Sequence, residues 1–341
     1  MKNLIYTLPA VLLIGLMALV SGCGSAQEEI PDVSDIQVDI KINRLEKELF
    51  AYQSKYDFIN FIDQNPELVA QYFKGPFYPT KDSLASHLYH FTRNVYNDTL
   101  YRDVQDIFTD FEKVENDLIQ AFRYLKYYYP DFKVPRIYTM ISGFGSFGFG
   151  QDIFFSDSLL VIGLDYFAGT SSTYRPPEVP GYILKRYVPE HIVPSVMKFI
   201  SSKFNQHDYN DKSMLAEMMF YGKANYFTHK MMPHASDTLI MGYSVEELTD
   251  VEENSGFIWG HFVKNNLFYE TNDLTKRKYV GERPRVFEVS DKCPGRVGRW
   301  LGYQIVKSYA WEHTDAQLSG IMQMKNARAL FQASKYKPQV P

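Results

Sequence analysis

The feature that most constrains this chain is its beginning, where Lys2 precedes a nearly uncharged apolar run from Leu4 to Val20 that closes on Ser21-Gly22-Cys23. A run of this length approaches the ~20 residues that cross a bilayer. Small residues leading into a cysteine instead match the bacterial lipobox, whose thiol receives diacylglycerol before the signal peptide is cut away. Residues 1–22 are expected to be removed, residues 23–36 to form a lipidated tether, and residues 37–341 to fold as a single mainly helical domain. Folding must then proceed with Cys293 as the one remaining thiol. No disulfide framework is available, so burial has to hold the fold, and an isolated thiol is expected to be buried and inert.

Several acyl chains on one residue anchor stably where a single chain holds only marginally. The membrane is thus the first expected partner, through lipid on Cys23. Gly24 stands where an aspartate would retain a lipoprotein in the inner membrane, which points to the outer membrane of the cell envelope. Gln27-Glu28-Glu29 is similar to acidic tracts that export some lipoproteins to the cell surface, and is equally a solvated linker. Both the periplasmic face and the cell surface stay open.

Hydrophobic residues make up 45% and charged residues 22% of the chain, which places it among globular proteins, while 16% aromatic residues is high. A net charge of −4 offers no basic field to nucleic acid, and that partner class is set aside.

Apolar spacing predicts helices through the first hundred mature residues, starting with Leu45, Leu49 and Tyr52 and continuing over 81–96, 99–109 and 111–128. Residues 135–167 are β-rich and read as a small antiparallel sheet, with Ser156-Asp157-Ser158 between two strands. Helices return at 189–204, 212–231, 244–249, 254–269, 297–312 and 315–333, with long loops at 232–243 and 270–296. The fold class expected is α+β, mainly helical, in three parts: 37–134, 135–167 and 180–335.

Gly143 to Gly150 contains Gly-x-Gly-x-x-Gly, but phenylalanines interrupt it and a strand follows where a phosphate-binding fold needs a helix. A connection between strands is expected there. The close histidine pairs, His87 with His90 and His229 with His234, lack the intervening glutamate of a zinc hydrolase. Tyr187-Val188-Pro189-Glu190-His191 puts tyrosine and proline where an inverted zinc motif needs a ligand and a helix. No metal or other cofactor is expected.

Two segments combine charges with glycines in apolar helices. One is Glu217 to Phe227, where Gly222 costs roughly 1 kcal/mol against alanine unless another element packs closely. The other is Pro294 to Tyr309, where Gly295, Gly298 and Gly302 form a flat face beside Arg296 and Arg299. Helix packing explains the glycines. Glu217, Lys223, Arg296 and Arg299 are the candidate ligand or partner residues, with Glu217, Lys223 and Arg296 expected on one concave surface.

With these residues assembled, the chain resembles the GldB gliding-motility lipoproteins of the Bacteroidetes. The marks are the lipobox, Gly163-Leu164-Asp165-Tyr166-Phe167, the Glu217–Phe227 and Pro294–Tyr309 segments, Phe257-Ile258-Trp259 and Tyr336-Lys337-Pro338, in order along almost the whole mature chain. That family is distantly similar to predicted zinc-dependent proteases, which implies a degenerate zincin-like scaffold. The helix near 189–204 lacks His-Glu-x-x-His, so the resemblance implies a scaffold without its metal and no enzymatic reaction. It further implies a part in gliding motility and type IX secretion-associated envelope machinery, with other envelope or motility proteins as partners. A metallopeptidase with unconventional ligands is one alternative. A surface lipoprotein binding glycan or peptide through its 26 tyrosines and 25 phenylalanines is another.

Overall fold

A computed structural model describes residues 30–146, 151–177 and 179–338; the signal peptide, Cys23 and most of the tether lie outside the described residues, as does the end of the glycine tract. The chain divides into a unit of residues 1–32 and a unit of residues 33–341, and the second carries every feature below.

The N-terminal part opens with a strand, β1 (Ile42–Arg44), and then α1 (Leu45–Ala51), α2 (Lys55–Gln64), α3 (Pro66–Gln71), α4 (Lys81–Arg93), α5 (Val95–Ile107) and α6 (Glu112–Tyr128). Local chemistry sets these boundaries. Ser54 and Asp57 close a capping box on α2, Pro66 occupies the first turn of α3, and Thr80 and Asn94 cap α4 and α5. In α6, Val114, Leu118, Ala121, Phe122 and Leu125 form one buried stripe, with Glu112 and Glu115 in the first turn and Lys126 in the last, as the helix dipole favours.

The sheet adds β2 (Arg136–Met140), β3 (Ile153–Phe155) and β4 (Leu159–Gly163) in the order β1-β2-β4-β3. It is mixed, which corrects the antiparallel expectation. Only β3 and β4 pair antiparallel, as the hairpin around Ser156-Asp157-Ser158; β2 runs parallel to both β1 and β4. Parallel neighbours need long crossovers, and here α1 to α6 supply the one between β1 and β2. All of β4 is buried, consistent with a strand covered on both faces.

The C-terminal part comprises α7 (Gly181–Leu184), α8 (Ile192–Ser201), α9 (Met214–Met231), α10 (Asp237–Met241), α11 (Val245–Glu253), α12 (Ser255–Lys264), α13 (Asp273–Tyr279), α14 (Val297–Glu312), α15 (Leu318–Gln323) and α16 (Ala327–Ser334). Two expectations change. The segments 232–243 and 270–296 contain α10 and α13 and are not plain loops, and 315–333 is two helices broken at Met324 to Asn326. The expected 297–312 helix matches α14.

α9 is the central helix: it lies against α14 and also touches α6, α8, α15 and α16. Gly222 makes the α9–α14 contact possible, because a Cβ there would fall on the Gly302 carbonyl, and a Cβ on Gly302 would fall on the Met218 carbonyl. The two helices meet backbone to backbone. Gly298 instead faces Val280 and the Tyr279 carbonyl, and Gly295 faces Arg283, so the small-residue face serves two neighbours. Tyr129 stacks on Phe204 at 3.9 Å, and Phe204 stacks on Phe227 at 5.7 Å, so aromatic rings tie the end of α6 to α9 within one core.

Candidate functional site

The N-terminus of α14 and the C-terminus of α10 meet in a cluster of cations. Arg296 sits at the N-cap of α14 with φ 63°, a left-handed conformation, and the preceding Gly295 passes so close to Arg283 that a side chain has no room. From there its guanidinium donates to the Met241 carbonyl at 2.7 Å and the Gly242 carbonyl at 2.9 Å. Lys198, projecting from α8, donates to the Ile240 carbonyl. Two cations thus satisfy three successive carbonyls at the end of α10, where intrahelical donors run out. Arg296 also lies over the Tyr243 ring at 5.0 Å, and the Tyr243 hydroxyl donates to the Gly295 carbonyl at 2.7 Å.

Arg186, in the turn after α7, packs its stem against Gly242. Arg186 donates to both carboxylate oxygens of Glu282, at 3.3 and 2.7 Å. Arg299, one turn into α14, donates to Glu282 at 3.3 Å and to the Val280 carbonyl at 2.6 Å, and stands over the Tyr221 ring at 4.1 Å. Nε of Arg296 is 3.5 Å from Glu282. One carboxylate therefore receives three arginines.

The charges are unbalanced. Burial, and then repulsion from Arg296, Arg186 and Arg299, pushes Lys198 down to about 7, with Glu282 opposing. Burial, and then Lys198, Arg186 and Arg296, pushes His191 down to about 4, which leaves it neutral near pH 7. Burial followed by Arg186 brings even Arg296 down to about 10. Burial works to raise Glu282, but Arg296, Arg186 and Arg299 outweigh it and hold the carboxyl below its ordinary value. Cations around His191 oppose the approach of a metal ion, and among the described residues no three His, Cys, Asp or Glu side chains are grouped to hold one.

Of the residues picked from sequence, Arg296 and Arg299 belong to this cluster and Glu217 and Lys223 do not. Glu217 is 37% exposed and lies 3.7 Å from Lys276, which pairs more closely with Asp273 at 2.9 Å. Lys223 is 2% exposed and donates to the backbone carbonyls of Gln206, Met322 at 3.3 Å and Met324 at 2.8 Å; burial pushes it down to about 8. The expected single surface joining Glu217, Lys223 and Arg296 is corrected on this geometry, since each has its own partners on a different segment. Helical periodicity explains the separation: six positions at ~100° each put Glu217 and Lys223 roughly 120° apart around α9. Arg186, Lys198 and Glu282 carry no local signal in the sequence, and His191 stands out there only through its partial likeness to an inverted zinc motif.

Two other sequence marks are structural. Asp165, buried, accepts from Ser142 N and Oγ at 2.9 Å each and from Phe144 N at 3.0 Å, which fixes a turn where Gly143 and Phe144 both have positive φ. Cys293 is buried, and its thiol is pushed up to about 12, mainly by burial, as suits an inert group.

Because Glu217 is partly exposed and the buried Lys276 keeps its closer partners, Asp273 at 2.9 Å and the Lys212 carbonyl at 3.0 Å, Glu217→Gln is expected to change stability by less than about 1 kcal/mol. Urea denaturation of the parent and the variant checks this, and a loss of several kcal/mol would show that the Lys276 contact matters more than its geometry implies.

The family model for gliding motility protein GldB matches residues 26–338. No match was found among curated proteins or among solved structures. The matched range runs from before β1 to beyond α16 and so includes the α9–α14 crossing and the cationic cluster, and the family brings with it a cell-envelope location and an association with gliding motility. This chain belongs to the GldB family of gliding motility proteins.

Proposed function

We propose that the protein is a non-catalytic lipoprotein of the gliding motility and type IX secretion-associated envelope machinery, held on the outer membrane by lipid on Cys23 and acting through contacts with other envelope proteins. The family match over residues 26–338 carries this reading. It is supported by the Leu19-Val20-Ser21-Gly22-Cys23 sequence, which supplies the thiol that acylation requires. The non-catalytic part is supported by the chemistry around α8. There His191 is surrounded by Lys198, Arg186 and Arg296, which suits neither a metal ligand nor a proton acceptor near pH 7.

The test replaces the family member of a gliding strain with this chain and with its Cys23→Ala variant. The parent is expected to take up labelled palmitate, fractionate with the outer membrane and restore colony spreading. Cys23→Ala is expected to lose the label, leave the membrane fraction and fail to restore spreading. Undiminished labelling and membrane retention in the variant would overturn the anchoring.

A further inference from the structure

We infer that the cluster of Arg186, Lys198, Arg296 and Arg299 around Glu282 is a binding site for a phosphate-type dianion. The four cations come from the α7 turn, α8 and the start of α14, and among the described residues Glu282 is the one carboxylate that pairs with the three arginines. The backbone carbonyls of Ile240, Met241, Gly242 and Val280 accept hydrogen bonds but bring no net charge, so capping α10 leaves the excess in place. Buried charges are normally paired, and with Lys198 about half protonated near pH 7 this arrangement leaves about two to three positive charges without counter-charge.

The donors are also incompletely used. Nε of Arg186 is buried with no hydrogen-bond partner, although both of its terminal nitrogens hold Glu282. The side chains of Arg186, Arg299 and Glu282 keep 21%, 20% and 32% of their exposure, so solvent reaches part of the cluster. Planar guanidinium forks match tetrahedral oxyanions in geometry, and a dianion leaves the cluster nearer neutrality than a monoanion does. Arg296 and Arg299 lie at the N-terminal turn of α14, where the helix dipole adds to the same field. Arg296 lies over the Tyr243 ring and Arg299 over the Tyr221 ring.

Bound anion should also stabilise the protonated form of Lys198. The charged groups acting on that ammonium are Arg296, Arg186, Arg299 and Glu282, His191 beside it is neutral above about 4, and the ammonium is cationic in the fold below about 7. Affinity for an anion whose own charge does not change should therefore fall as pH rises through that value and level off above it.

The experiment uses the detergent-solubilised mature protein, with inorganic phosphate, sulfate, acetate and glycerol 3-phosphate compared at matched ionic strength by calorimetry and thermal melting. Phosphate and sulfate are expected to bind and raise the melting midpoint, with acetate weaker by about tenfold or more. Arg186→Gln and Arg299→Gln are each expected to weaken sulfate binding by about tenfold. Arg186→Lys keeps the charge, so it tests the fork separately from any loss of folding. Between pH 6 and 8.5, sulfate affinity should fall for the parent and stay flat for Lys198→Met. Tighter binding of glycerol 3-phosphate than of inorganic phosphate assigns the site to a phosphorylated headgroup; equal binding assigns it to free phosphate. Stabilisation by phosphate and sulfate no greater than by chloride, or equal in the parent and both glutamine variants, overturns the site.

Discussion

Gly302→Leu is expected to leave no stably folded protein, the largest effect of any single substitution considered. The first carbon of the new side chain already falls on the Met218 backbone, and the opposing surface is Gly222, which has no side chain to move aside. Overpacking a core commonly costs ~1–3 kcal/mol when side chains can adjust, and more when two helix backbones must separate. A total stability of about 5–15 kcal/mol leaves little margin for that. Gly302→Ala gives the graded version, with an expected loss of about 2–4 kcal/mol despite alanine's better helix propensity. Gly298→Ala should cost less, because its nearest neighbour is the methyl of Val280 at 2.9 Å and a side chain can yield. Chemical denaturation of the three variants checks the order. A Gly302→Ala midpoint equal to that of the parent would mean that α9 and α14 are further apart than described.

Lys223→Met is expected to cost about 3 kcal/mol or more, although methionine fills a similar volume. Its ammonium is held by the Gln206, Met322 and Met324 carbonyls, which join the turn after α8 to the break between α15 and α16. Removing the donor leaves the Gln206 and Met324 carbonyls without it, while the Met322 carbonyl keeps the Gln206 N–H at 2.9 Å, and the loss is roughly 1–3 kcal/mol for each group that cannot reach water. The pH dependence has a definite sign. Lys223 ionises at about 8 in the fold against 10.5 ordinarily, so the unfolded chain binds more protons between those values. The cost of burying the charge is fully present below about 8 and is relieved as pH rises toward 10.5. The advantage of the parent over Lys223→Met should therefore widen across that window. Urea denaturation at pH 7 and 9.5 measures it, and a difference that shrinks with rising pH would contradict the depressed ionisation.

The sequence by itself determined the elements whose causes are local. α14 was legible because Pro294 and Gly295 stop the preceding chain and an apolar helix follows, and α9 because Ser213 caps a long apolar run. The close approach at Gly222 was legible too, since a glycine inside such a helix implies that another backbone needs the space. Five-residue α10 and seven-residue α13 were missed because so few turns show no periodicity, although Ser236 and Asn272 cap them.

Only the tertiary structure decided the sheet and the site. The β3–β4 hairpin is local, but β1 is three residues long and finds its parallel partner more than ninety positions away, a pairing with no mark in its own segment. Arg296 and Arg299 could be singled out because glycines surround them. Glu282 could not, since nothing in its loop tells that Arg186, ninety-six positions earlier, will meet it. An ion pair costs the local sequence nothing to encode and leaves no periodicity behind; it exists only once the chain has folded around it.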